Sequence, residues 1–417
     1  MDARKIHWYP VESRLESGSG DTGSMSLALG AWPRNTSNFI SEWVLPIGYF
    51  CLLTGLTWLD DRSQYHKLFY ALIAAPALIA IVMQPKQIAL QLSEPVTLLF
   101  LAFSAWALIS ISWSGTEDSF ASLAKRPLYI FMLFTACMLM AQRDCSRLLV
   151  VLSLASLTII PVAAYGLVDF AIHYTPGARL VGSGALDNPL LSSHVFGLFC
   201  VIWLGWIMTS SSRHYCFALI PLAILSVTLL ATGSRTPLVA AALAAAWLML
   251  CCWNKRALLL ACTGACGLII LLLAFPESLL NRGTSYRLEI WQLALEQIRL
   301  QPWIGHGFDA HLAINVPGIS YSFSEPHSFF LGVLYYTGVI GALCWALMHG
   351  AALWTCWRRR SDLYFIIAGA LVVYGLGAGL TEGGGILPRP KEHWFLTWIP
   401  LALVAALSIG RKQERAL

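Results

Sequence analysis

The sequence predicts an all-α polytopic membrane protein with about 12 transmembrane helices, and three observations carry that reading. Hydrophobic residues make up 57% of the chain and charged residues only 12%, about half the charged share of an ordinary soluble domain. Mean hydropathy is +0.66. Apolar runs near bilayer length follow one another across short polar gaps, and lysines and arginines sit tight against alternate run ends. Basic residues scattered in this way orient a membrane protein. They form no stripe for a polyanion, so the net charge of +5 predicts no nucleic-acid partner.

Residues 1–38 are polar and rich in Ser and Gly, which predicts a disordered cytoplasmic tail. They lack the basic, apolar and small-residue succession of a cleaved signal peptide. Expected spans cover 39–59, 68–83, 96–113, 127–141, 148–172, 189–209, 216–230, 237–253 and 257–275. The last three cover 328–357, 363–380 and 394–409, all within 328–410, and 411–417 form a short C-terminal tail. The segments at 127–141 and 216–230 carry the weakest signal because they are short.

Lys86, Arg143, Arg147, Arg213, Lys255, Arg256, Arg358, Arg359, Arg360, Arg411, Lys412 and Arg415 hug run ends on one side, in agreement with Arg4, Lys5 and Arg14 of the tail. By the positive-inside rule that side, with both termini, is expected in the cytoplasm. The long interval 276–327 is then expected on the outer face. All 11 cysteines fall in spans or in the inner loops, so no disulfide framework is implied. Cys262 and Cys266 share a helical face without a histidine or acid beside them, which reads as packing.

Two outer loops carry arginines in anion-binding settings. In HYTPGARLVGSGALDNPLLSSH, Arg179 precedes glycines and an Asn188-Pro189 turn that launches the next span. In TGSRTP, Arg235 stands between Gly233 and a helix-starting Pro237. An arginine beside free helix-terminal N–H groups suits an anion. Taken alone, it reads as a snorkelling anchor at the membrane boundary.

The interval 276–330 holds the densest chemistry. Ser285 can cap a helix running to about Leu300, with Glu289 in its first turn. Ile290, Leu293, Ala294, Gln297 and Ile298 give that helix an apolar stripe, so it is expected to lie along the membrane or to pack on the spans. Arg287 and Trp291 are one turn apart and can act together; Arg282 precedes them in a glycine-containing turn and can reach the same anion. Arg282 and Arg299 taken alone read as solvated charges. His306, Asp309 and His311 match no standard metal spacing, so no metal site is expected. The run then reaches an aromatic stretch, Glu325-Pro326-His327, and a helix beginning at His327 in which Gly332, Gly338 and Gly341 permit close approach of neighbours. A neutral imidazole there can accept a proton from a hydroxyl near physiological pH.

Arg235 in TGSRTP, Arg287 in SYRLEIWQLALEQIRLQPWIGHGF and His327 in PHSFFLGVLYYTGVIG, in that order around a long outer loop, resemble the O-antigen ligase and polymerase superfamily. The resemblance covers most of the membrane region, is densest from about Arg179 to Gly341, and is most like the lipopolysaccharide O-antigen ligase branch. It implies a GT-C-type glycosyltransferase, free of metal and cofactor, working on the periplasmic face of the inner membrane. The implied donor is a glycan on undecaprenyl pyrophosphate, the implied acceptor a sugar hydroxyl of lipid A-core, and the outcome inversion. In that reading Arg287 and Arg235 stabilise the leaving pyrophosphate, with Arg179 or Arg282 as a third cation and Trp291 beside them. His327 serves as base, and Glu325 is the second choice for that role.

The last outer loop, TEGGGILPRPKEHW, offers Glu382, Arg389 and His393; its glycines read as a flexible flap and its charges as anchors. Three other functions compete. An O-antigen polymerase would use a second lipid-linked repeat as acceptor. A protein O-oligosaccharyltransferase would use a Ser or Thr hydroxyl, but its relatives carry a polar C-terminal region where this chain has GRKQERAL. A glycan or lipid transporter would need charges or broken helices near the bilayer midplane.

Overall fold

The computed structural model describes residues 36–210, 215–253 and 286–414, with residues 256, 258, 259, 263 and 264. Among them, eight helices are long and apolar enough to cross a bilayer: α1 (Thr36–Thr57), α2 (Arg62–Met83), α4 (Pro95–Trp113), α5 (Phe120–Arg143), α6 (Cys145–Ile172), α7 (Pro189–Thr209), α11 (Phe329–Arg358) and α13 (Glu392–Glu414). Three shorter apolar helices join them, α8 (Tyr215–Ala231), α9 (Thr236–Cys251) and α12 (Leu363–Gly379). Two helices that do not span are α3 (Lys86–Leu92) and α10 (Arg287–Ile298). The all-α polytopic membrane fold is therefore the one the composition predicts. The expected span at 257–275, Cys262 and Cys266 lie outside the described residues or among a few isolated ones. Segment 127–141, weak by sequence, is the interior of the 24-residue α5.

Polar residues at the span starts explain where the helices begin. Asp61, Glu94, Ser119, Asp144, Asn188, Ser328 and Asp362 each accept a hydrogen bond from a backbone N–H of the turn they precede. These are the donors that a helix leaves unsatisfied and that a bilayer cannot hydrate. The most apolar stretch of helix α13 is wholly buried, and its charged residues lie at its two ends. It forms the axis of the bundle, with Trp394, Trp398 and Phe395 among the largest fully buried side chains at its outer end.

The expected inner basic residues collect at one end of the bundle. Arg147 donates to the Glu42 carbonyl, Arg359 to that of Ser408 and Arg256 to that of Ser210, while Arg411 pairs with Asp362 at 2.9 Å. A cavity of about 250 Å³ there is lined by Ser41, Gln84, Gln142, Arg143 and Gln413, so the first and last spans share this end.

At the opposite end the long loop is seated in a broken helix. Within α11, Gly338 adopts φ 61° and ψ −168°, a backbone conformation essentially reserved for glycine. The break frees carbonyls and amides that the loop then satisfies. His306 and Gly307 donate to the carbonyls of Tyr335 and Tyr336, and Val339 and Ile340 donate to those of Pro302 and Trp303, all at 2.7–3.2 Å. A Cβ on Gly338 would collide with the Trp303 carbonyl. The glycines of α11 thus have separate tasks: Gly332 meets Gly384, Gly341 meets Trp106 of α4, and Gly338 receives the loop instead of a neighbouring helix.

Candidate active site

Helix α10 places the first site residue. Its stripe of Ile290, Ala294 and Ile298 is buried against Ala310, Leu312, Ile314, Val316 and Tyr335, a second apolar core separate from the bundle's own. The helix therefore packs, as its stripe predicts, on the loop and on α11. Gln297 donates to the Ala313 carbonyl at 2.8 Å, and His306 stacks on Tyr335 with ring centroids 4.4 Å apart. That stacking gives His306 a structural task, and Asp309 is likewise occupied, accepting from Arg126 at 2.8 Å and Thr116 at 2.9 Å. Arg287 begins the same helical face, one turn before Ile290, and is half-buried in the first turn of α10. Tyr286 just before it is left-handed at φ 58°.

His327 is also left-handed, at φ 48°. The structure corrects the expected helix start: Ser328 is the cap and α11 begins at Phe329, so His327 stands outside the helix. Outside it, the side chain is free of the helix's outward projection and turns to Glu382. Nδ1 of His327 lies 3.8 Å from Oε1 of Glu382, and Nη2 of Arg287 lies 3.3 Å from Oε2 of the same carboxylate. A non-glycine residue held left-handed costs roughly 1–3 kcal/mol, which the surrounding packing must offset.

The loop carrying Glu382 is packed, contrary to the expected flap. Phe329 donates its amide to the Glu382 carbonyl at 3.1 Å. Gly383, at φ 81°, lies against the Phe329 ring, and Gly384 lies against Pro326 and Glu325, at distances that leave no room for a Cβ. Gly383 and Gly384 serve close approach, and they hold Glu382 between Arg287 and His327, whereas Gly385 faces open space. Burial raises the Glu382 carboxyl, but the His327 imidazole at its side, with His194 and His393 nearby, outweighs it and holds the group down at about 2. Further along, Arg62 pairs with the buried Glu392 at 3.1 Å and with Asp187 at 2.7 Å, His66 bonds the Pro390 carbonyl at 2.9 Å, and the loop is fixed at both ends.

The turn that carries Arg235 meets the Glu382 loop through its next residue. Arg235 is the residue before α9, and its neighbour Thr236 shares a 2.7 Å hydroxyl contact with Thr381, the neighbour of Glu382. Arg179 donates to the Thr232 carbonyl at 2.6 Å and to the Ser234 hydroxyl at 2.8 Å, so it shapes the turn that carries Arg235. Trp291 is half-buried one turn beyond Arg287, and its Nε1 has no hydrogen-bond partner among the described residues. Glu325 stands on the wall of an adjoining cavity. Arg282 and the expected cap Ser285 lie outside the described residues.

A family model described as O-antigen ligase matches residues 220–346. A curated protein of Pseudomonas aeruginosa, named O-antigen ligase, is 43% identical over 378 residues, covering 91% of this chain and 94% of that protein. The chain belongs to the O-antigen ligase family. The stretch that matches the O-antigen ligase family model contains Arg235, Arg287, Trp291, Glu325 and His327. The residue that joins two of them, Glu382, lies beyond it.

Sequence reasoning ranked Glu382 as an anchor because nothing local separates a buried acid from a boundary one. The usable signal was an acid followed at once by three glycines in a chain with few charges. His194 and His393 were equally hidden. Both are buried, with neither ring nitrogen hydrogen-bonded among the described residues, and both lie close enough to bear on the Glu382 charge.

Proposed function

We propose that the protein is an O-antigen ligase that moves a glycan from undecaprenyl pyrophosphate to a sugar hydroxyl of lipid A-core. The reaction would run on the periplasmic face of the bacterial inner membrane with both termini cytoplasmic. One observation carries the reading: in a member of this family, Glu382 contacts Arg287 and His327 at the end of the bundle opposite the clustered inner arginines.

We assign the imidazole proton of His327 to Nδ1, the nitrogen 3.8 Å from Glu382, which leaves Nε2 to accept a hydroxyl proton. The acceptor oxygen attacks the anomeric carbon, its proton passes to Nε2, and the bond from that carbon to the pyrophosphate oxygen breaks. A single displacement of this kind inverts the centre. The carboxylate steadies the imidazolium as it forms, and a carboxyl held at about 2 is too weak a base to take the proton itself. Arg287 spends one nitrogen on Glu382 and keeps its other donors, which with Arg235 face the charge growing on the leaving group. Fixed guanidinium groups can carry that charge without a metal. The extent of the relative's similarity, 94% of its length, favours the ligase over the polymerase.

The test supplies purified protein with lipid-linked glycan and lipid A-core and follows ligated product on a gel. His327→Ala and Arg287→Ala are each expected to cut the rate by about 10²–10⁴-fold. Full activity in either variant would sink the site assignment, and glycan lengthening in place of ligation would favour the polymerase.

A further inference from the structure

The two segments that make the site, residues 325–327 and 382–385, continue into the wall of a cavity of about 340 Å³ that the reaction above does not use. Arg126, Asp309, Glu325, Tyr336, Arg389 and Lys391 line it, and its size is that of a small-molecule site. The charges on its walls are not equivalent. Arg126 is occupied, at 2.8 Å from Asp309 and 3.0 Å from Asp118. Arg389 and Lys391 form no ion pair with a carboxylate among the described residues, although the connector carrying them is fixed by Arg62, His66 and Trp394. Two cations on a fixed backbone around an open, polar cavity meet the needs of a phosphate. Glu325 and the Arg126–Asp309 pair add the donors and acceptors that sugar hydroxyls use, and Tyr336 adds a ring face.

The geometry points to this cavity as a subsite for a phosphate-bearing saccharide, held through Arg389 and Lys391, on the acceptor side of the reaction. The inference rests on the proposed ligase reading, because His327 follows Glu325 by two residues and would meet a hydroxyl of a sugar seated there. It makes a second anion site, apart from Arg287 on Glu382.

The experiment uses the full-length protein in lipid nanodiscs with lipid-linked glycan and two acceptors, lipid A-core with its phosphates intact and the same material after phosphatase treatment. The Arg389→Gln/Lys391→Gln double variant is expected to raise KM for the intact acceptor about 10-fold. KM for the donor and for the dephosphorylated acceptor should stay where they are. A rise in donor KM instead would assign these cations to the pyrophosphate and overturn the acceptor subsite. Unchanged KM for all three would overturn it as well. Acceptor binding is read in parallel from the thermal shift of the same preparations. A wild-type protein that binds intact acceptor more tightly than treated acceptor, with the preference lost in the double variant, supports the subsite even without turnover. Absence of turnover alone would sink the ligase reading; absence of the binding preference would sink the subsite.

Discussion

The two ends of the helical bundle use arginine differently. At the end shared by the described termini, Arg147, Arg256 and Arg359 donate to backbone carbonyls, and Arg359, Arg360 and Arg411 lie 4.5–5.0 Å from the ring centroids of Phe365, Trp357 and Tyr364. These contacts anchor span ends. At the other end Arg62 and Arg287 reach carboxylates that are almost wholly buried, Glu392 and Glu382, and two backbone strains, Tyr286 and His327, flank one of the pairs. Anchoring charges stay near water where a pair contributes little. A charge drawn into the protein against its desolvation cost, beside strained backbone, is the arrangement that the proposed reaction draws on.

The sharpest way to break the contrast is Glu382→Gln. It leaves Arg287 partly buried without its partner charge and His327 without the group that steadies its imidazolium. The expected result is a loss of ligation of about 10²–10³-fold together with destabilisation of about 3 kcal/mol, read from product formation and from thermal unfolding in detergent.

A smaller effect follows from acidity. The Glu382 carboxyl sits at about 2 in the folded chain against an ordinary value of 4.5, a difference equal to roughly 3 kcal/mol at full development. Because the folded value is the lower one, that stability is fully present above about pH 4.5 and drains away as pH falls toward 2. Wild type and Glu382→Gln should therefore differ by a constant amount in unfolding temperature between about pH 5 and 8 and converge below. A gap that persists at low pH would remove the ionised carboxylate from the account.

Gly338→Ala tests the seat of the loop instead of its charge. A Cβ in that conformation is expected to cost about 2 kcal/mol and to loosen the segment carrying Gly305 and His306. Faster protease cleavage between residues 302 and 327, with weaker ligation, checks it. At the anchoring end, Arg411→Gln should cost under about 1 kcal/mol and leave ligation unchanged, because its pairs with Asp362 and Glu414 are partly exposed. A large loss of ligation there would erase the difference between the ends.

Much of the molecule was legible in one dimension. Spans could be counted because a bilayer imposes a length and a composition on any helix that crosses it, and caps such as Asp144 and Asn188 mark their starts. Helix α10 and its buried stripe followed from periodicity, as did the nomination of Arg287 and His327 from unusual polar residues in apolar company. The helix start at Phe329, the packed glycine loop and the role of Gly338 did not follow, since each depends on what approaches from another segment.

The sequence by itself determined a membrane-embedded helical protein, because hydropathy and charge placement act locally along the chain. Only the tertiary structure decided that Arg287 and His327, 40 residues apart, meet on one carboxylate drawn from a third segment. The physical reason is that a carboxylate's role is set by burial and by the cations around it. Both are properties of packing that neighbours in sequence do not encode.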